Sequence, residues 1–125
     1  MTDLLKFDFC EMHIYDDYVI VIIDEGIIVS PKHNIELNNV VDTYFRNKKF
    51  VYISHRKNSY TVDPTTYIET SKIKNLVAFA IVSKDFKARS NAEVEKLFLN
   101  KPLEIFDDIQ KAVSWKDSVL NKETT

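Results

Sequence analysis

Apolar and polar positions alternate at the start of the chain. Leu5, Phe7 and Phe9 stand among Lys6, Asp8 and Cys10, the period-two pattern of a strand with one buried face. The pattern runs on through His13, Ile14 and Tyr15 until Asp16-Asp17 interrupts it. Tyr18–Ile23 then follows as a run made almost wholly of β-branched residues, so the two stretches predict an antiparallel hairpin. Asp24-Glu25-Gly26 predicts a second turn or a bulge, with Gly26 free to take a positive φ. Ile27–Val29 resumes the extended chain.

From Ser30 the period changes. Ser30-Pro31 reads as a helix start, because serine caps free N–H groups and proline at the first helical position loses no hydrogen bond. Leu37, Val40, Val41, Tyr44 and Phe45 then fall at i, i+3, i+4, i+7 and i+8, one stripe of a helix. Asn47-Lys48-Lys49 closes that helix with positive charge, which the dipole favours. Phe50–Ser54 reads as a strand, and Asp63-Pro64 repeats the cap-plus-proline start ahead of a short helix rich in Thr and Tyr. Leu76–Ser83, LVAFAIVS, is almost continuously apolar, as expected of a central strand covered on both faces. Ser90 and Glu93 predict a capping box, with Val94, Leu97 and Phe98 on the inner face of the helix behind it. Pro102 ends that segment, and Leu103–Phe106 is a short strand. Asp107 and Gln110 predict another capping box, and Ile109, Ala112, Val113 and Leu120 line the last helix. The expected class is α/β: a mixed sheet of about four to six strands with an N-terminal antiparallel hairpin, flanked by about four helices. Residues 1–120 form one domain in this reading, and 121–125 a frayed polar tail.

Composition narrows the function classes. A length of 125 residues fits one domain, and 45% hydrophobic content is ordinary for a globular chain. Gly26 is the only glycine, so neither a nucleophile elbow, nor a P-loop, nor a dinucleotide fingerprint can be built. With 17 basic and 19 acidic residues, the net charge of −2 gives no reason to expect nucleic acid or an acidic membrane as partner. The single cysteine, Cys10, sits in a strand-like run and predicts a buried, inert thiol. No apolar run approaches the roughly 20 residues of a membrane helix, and no leader pattern is seen, so a cytoplasmic location without membrane insertion is expected. His13, His33 and His55 share no metal-ligand spacing. The acidic pairs Asp16-Asp17, Asp24-Glu25 and Asp107-Asp108 all stand at turns or helix starts, where capping favours them. Neither a catalytic residue, nor a metal, nor a cofactor is expected, and the chain does not read as an enzyme.

The candidate site is the polar, glycine-free loop inside Phe50–Pro64, FVYISHRKNSYTVDP. His55, Arg56 and Lys57 follow a strand, and ligands of open α/β sheets bind outside the carboxyl ends of strands. Such a cluster can hold a phosphate or carboxylate, or it can be a solvated surface loop. Arg56, Lys57 and Tyr60 are expected to offer charge and an aromatic anchor to a protein partner. Ser59, Tyr60 and Thr61 are hydroxyl-rich and read first as turn formers, with modification as the alternative. Trp115 either covers a sheet edge or anchors a partner.

The hairpin ending in Gly26, the helix from Pro31, the strand LVAFAIVS and above all the tail PLEIFDDIQKAVSW, with Ile105-Phe106, Ala112 and Trp115, occur in an order that resembles the SpoIIAA-like (STAS-type) α/β domains. The match is to small stand-alone bacterial members. The resemblance implies a mixed sheet flanked by helices and a protein-interaction or regulatory role without enzyme activity. It also implies a candidate phosphoacceptor at Ser59, where the family's Asp-Ser-small-Gly setting is replaced by Asn58-Ser59-Tyr60-Thr61. The related CRAL/TRIO domains bind lipids, so the alternative is a carrier of a small apolar or lipid-like ligand held between helices and sheet. Homodimerisation through a sheet edge or an exposed helix face is a further expectation.

Overall fold

A computed structural model describes residues 1–124 and the side chains through Lys122. The bend at Asp8 divides the first alternating run into two strands, β1 (Asp3–Lys6) and β2 (Cys10–Ile14), which pair antiparallel with each other. β2 also pairs antiparallel with β3 (Tyr18–Ile23), so the N-terminal hairpin is part of a three-strand meander. Gly26 turns the chain at φ +78°, as its position predicts.

From there strands and helices alternate. β4 (Ile28–Val29) leads into a 3-10 turn (Pro31–His33) and α1 (Asn34–Tyr44). The Ser30 cap is reinforced by His33, whose Nδ1 accepts the Ser30 N–H at 2.9 Å. β5 (Phe50–His55), β6 (Thr61–Val62), α2 (Thr66–Thr70) and β7 (Leu76–Val82) follow. Asp63 starts α2 as expected, its Oδ1 accepting the Thr65 N–H at 3.0 Å. The chain closes with α3 (Phe86–Glu95), a 3-10 turn (Lys96–Phe98), β8 (Leu103–Phe106) and α4 (Ile109–Thr124).

The main sheet has six strands in the order β1-β2-β3-β5-β7-β8, and β3, β5, β7 and β8 run parallel. β4 and β6 form a separate two-stranded parallel ribbon. Each new parallel strand is added on the same side. Right-handed crossovers therefore deliver α1, α2 and α3 to one face. That face buries Val19, Val21, Phe50 and Leu76 against Leu37, Val40, Val41 and Phe45, and Phe79 and Ile81 against Tyr67, Ala92 and Leu99. Phe45 and Phe50 are wholly buried and stacked at 4.4 Å. Each contributes on the order of 2–3 kcal/mol by burial. α4 covers the opposite face alone, and the small residues Ala78, Ala80 and Ala112 let it lie close against β7. Trp115 packs beside Phe106 of the edge strand β8, with ring centroids 5.6 Å apart.

Two helix starts differ from the sequence reading. α3 begins one turn earlier than the Ser90/Glu93 box implies, because the Asp85 carboxylate accepts the Ala88 N–H at 2.9 Å. The stripe that faces inward is Ala92, Glu95 and Leu99. At about 100° per residue, Phe86, Val94 and Leu97 fall on the other side of the helix, and Phe98, in the 3-10 turn, lies at the boundary between the two faces at 39% exposure. Val94 is 56% exposed and Leu97 81%. At α4, Asp108 rather than Asp107 makes the cap, its Oδ1 accepting the Gln110 N–H at 2.6 Å. Asp107 instead pairs with Lys111 at 3.0 Å. α4 also continues through Thr124, past Asn121 where the sequence suggests a tail, while Thr125 lies outside the described residues. Among the described residues no helix is long and apolar enough to cross a membrane.

Candidate functional site

The loop after β5 is stapled to the turn after β3. Asn58 Nδ2 donates to the Ile23 carbonyl at 2.8 Å, Gly26 N–H to the Ser59 carbonyl at 2.8 Å, and Thr61 N–H to the Ile27 carbonyl at 3.0 Å. The Ser59 N–H donates to the Glu25 carboxylate. The β4–β6 ribbon continues this zipper, so the loop is a built element.

Its side chains point in different directions. Lys57 and Ser59 are exposed. His55 is half-buried at the end of β5, and burial first, then Lys57 and His13, holds its pKa below the usual histidine value. Arg56 and Tyr60 turn inward, contrary to the expectation that both stand on the surface. Arg56 donates from Nη1 to Glu95 Oε2 at 3.1 Å and from Nη2 to Glu95 Oε1 at 2.5 Å, and both side chains are under 10% exposed. Tyr67 donates its hydroxyl to the same Glu95 Oε1 at 2.5 Å. Burial weighs against the Arg56 charge, but the Glu95 hydrogen bond and neighbouring groups outweigh it and hold the pKa above its ordinary value. Burial also keeps the Tyr67 phenol well above its usual range, so it remains the donor. Tyr60 lies with its ring 5.5 Å from the Arg56 guanidinium and its hydroxyl 3.1 Å from Ser54 Oγ. The physical reason for this inward turn is Glu95. A carboxylate on the buried face of α3 needs a cation, and Arg56 is the one the topology brings to it.

Glu95 and Tyr67 escape the sequence reading. The signal that would have found Glu95 is its i, i+3 spacing from Ala92, the one small apolar residue late in α3, which puts both on one face.

Three concavities surround this lattice. The largest, an open groove of about 740 Å³, runs between the loop and α3, with Lys57, Ser59 and Pro64 on one side and Lys87, Asn91 and Val94 on the other. Arg56 and Glu95 contribute to its lining. A second, of about 400 Å³, brings His55 together with Ser83, Lys84, Asp107 and Asp108 at the carboxyl ends of β5, β7 and β8. Asp107 is engaged by Lys111, Asp108 caps α4, and Ser83 Oγ accepts the Asp85 N–H at 3.1 Å. The third is a small pocket of about 50 Å³ between α1, α2 and the sheet, lined by residues including Met12, Leu37, Thr66 and Phe79. An apolar cavity must reach roughly 150 Å³ to take benzene, and ligand pockets run from roughly 300 Å³ upward, so this one suits a few waters. Two of its lining residues, Arg56 and Thr66, carry buried atoms without hydrogen-bond partners, Nε and Oγ1.

The lysines are unevenly neutralised. Lys48, Lys72, Lys111 and Lys116 all pair with carboxylates. Lys57, Lys84, Lys87 and Lys96 are exposed and have no acidic partner among the described residues. Lys6, Lys32 and Lys74 are likewise exposed without a carboxylate partner among the described residues. Lys57 and Lys87 line the groove, and Lys84 lies in the second concavity beside Asp107 and Asp108. Among the described residues no group of three or more His, Cys, Asp and Glu is placed to hold a metal.

These features define a mixed α/β domain with a rigid buried lattice beneath an open, lysine-edged groove. Set beside family models, curated proteins and solved structures, the chain matches none of them.

Proposed function

We propose that the chain is a non-enzymatic, cytoplasmic protein-interaction module of the STAS/SpoIIAA type, which docks a partner along the groove between the Lys57–Pro64 loop and α3. The observation that carries this reading is the reversal of α3. The helix and the 3-10 turn after it bury Ala92 and Glu95 and leave Phe86, Val94, Leu97 and Phe98 exposed, with Val94 lining the groove and the other three lying beyond it. Solvating these side chains has no folding benefit, whereas covering them on docking stabilises a complex by roughly 25 cal/mol for each Å² of apolar area removed from water. The lattice behind the helix fixes its position, so the exposed side chains form a preorganised surface. Ser59 stands on the same groove across from Lys87, the setting in which a phosphate would alter docking. The alternative, a carrier of an apolar ligand between helices and sheet, draws no support from a cavity of about 50 Å³.

Affinity capture from the native cell extract tests the reading, with Leu97→Asp as the probe. Leu97 is 81% exposed, so its replacement leaves the fold intact, and the variant should lose a partner that the wild-type chain retains. Equal recovery by a folded Leu97→Asp variant removes α3 from the account.

A further inference from the structure

Apart from the α3 groove, we infer a second interaction surface: the free edge of β8 takes an extended strand of a partner protein, paired antiparallel, with a basic residue opposite Glu104.

The backbone supplies the site. β8 is an end strand of the main sheet and pairs only with β7. Its Pro102 and Phe106 carbonyls accept the Phe79 and Ser83 N–H groups at 2.9 and 3.0 Å, so these residues and Glu104 between them turn their hydrogen-bonding groups toward β7. Strand alternation then aims the N–H and C=O of Leu103 and Ile105 away from the sheet, where no described strand meets them. An extended segment laid antiparallel along this edge pairs with all of these groups. The opposite end strand is less receptive. In β1 the Leu4 N–H donates to the Asp3 carboxylate at 2.9 Å, which plugs that edge from within.

The charge comes from Glu104. It is exposed and has no ion-pair partner among the described residues. With Leu103 and Ile105 in the hydrogen-bonded pairs, Glu104 takes a non-hydrogen-bonded position, where opposite Cα atoms come within about 4.5 Å. A lysine or arginine across from it gains attraction, and an acid is repelled.

The same geometry disfavours a second copy. A two-fold axis that pairs Leu103 with Ile105 of the other copy sets Glu104 directly against Glu104, like charges at the closest approach. A register shifted in either direction moves one of the two pairings outside β8, which spans only Leu103–Phe106.

Two synthetic peptides of about six residues, the usual strand length, test the inference. Both alternate valine with threonine, and one carries lysine at its centre where its twin carries glutamate. Amide exchange of the full chain, followed by NMR, is the readout. The Leu103 and Ile105 N–H groups should exchange freely without peptide, and saturating lysine peptide should slow both at least about tenfold. At low salt the lysine peptide should bind about fivefold more tightly than its twin. Glu104→Lys, at an exposed position, should reverse that order. N-methylation of the peptide amides that face β8 should abolish binding, and Leu97→Asp should leave it unchanged. Equal binding of the two peptides, or an order untouched by Glu104→Lys, overturns the basic partner. Binding that survives N-methylation, or a lysine peptide that fails to slow the two amides, overturns strand addition. Protection of both amides that rises with protein concentration alone assigns the edge to a second copy and overturns the inference. The α3 reading is judged separately, by capture from extract with Leu97→Asp.

Discussion

Replacing Glu95 with Ala isolates the energetic role of the buried lattice. The substitution removes both acceptors of the Arg56 guanidinium and the acceptor of the Tyr67 hydroxyl. Arg56 is left with the Tyr67 oxygen at 3.3 Å and the Tyr60 ring at 5.5 Å, neither of them charged, in a site where its side chain is 6% exposed. Removing one member of a buried ion pair costs about 3–5 kcal/mol, because the remaining charge stays desolvated and unpaired. For a domain of this size that corresponds to a fall in Tm of roughly 10–20 °C. The pair itself is a different matter. Changing both members to apolar residues, Arg56→Met with Glu95→Leu, removes the orphaned charge and should restore most of the loss, to within about 1–2 kcal/mol of wild type. Urea titration monitored by circular dichroism measures both variants on one scale. A loss below about 1 kcal/mol for Glu95→Ala, or a double variant worse than the single, would refute the claim that Arg56 is held inside by Glu95.

Further expectations follow from individual groups. Burial first, then Asp24, Glu36 and Glu11, pushes the Cys10 thiol up to about 12, so an aromatic disulfide reagent at pH 8 should react with the unfolded chain and spare the native one. His55 has a pKa lowered by burial. Its native form therefore resists protonation that the unfolded chain accepts near pH 6.5, and stability should decline as pH falls through that value and level off below the lower native pKa. Proton NMR should show His55 titrating below the usual histidine range, and His55→Gln should flatten this part of the stability profile. Asp107 has the same sign in a more acidic range. Its hydrogen bond and charge contact with Lys111 lower the native pKa, so their small contribution is complete above the usual carboxylate range and is lost as acid protonates the group. Lys111→Met should return the Asp107 titration to the ordinary range by NMR. The small pocket should hold ordered water hydrogen-bonded to Arg56 Nε and to Thr66 Oγ1 in a high-resolution crystal structure. A dry cavity there contradicts the assignment.

Most of the architecture was legible because hydrophobic period reports directly on which face is buried. The stripe Leu37, Val40, Val41 and Phe45 lies against the sheet as its spacing says, and LVAFAIVS is the strand between β5 and β8. The Asp8 bend was not legible. Phe7 and Phe9 keep the alternation going through it, and Phe9 packs into the same cluster as Cys10 and Met12. Period alone cannot distinguish one long strand from two strands that share a core. The two-residue ribbon of β4 and β6 was equally hidden, since its pairing joins segments more than 30 residues apart and rests on backbone hydrogen bonds.

The loop shows where sequence stops informing about a site. HRKNSY reads as uniformly polar, yet adjacent residues part ways: Lys57 goes to solvent while Arg56 goes to Glu95, some 39 positions along the chain. The pairing depends on which face of α3 meets the sheet. At about 100° per residue Ala92 and Glu95 stand opposite Leu97 whichever residue caps the helix, so spacing leaves the choice of face open. Packing on the sheet, with Arg56 and Tyr67 on Glu95, puts Ala92 and Glu95 inward and leaves Val94 and Leu97 outside. The Asp85 cap marks where that packed helix starts, and it is linked to the exposed stripe only if it also holds the helix in this orientation. Moving the cap tests that link. Asp85→Ala costs about 1 kcal/mol if it removes only a cap. If the cap also fixes the helical frame, the variant should in addition weaken partner capture, even though Asp85 lies outside the apolar stripe.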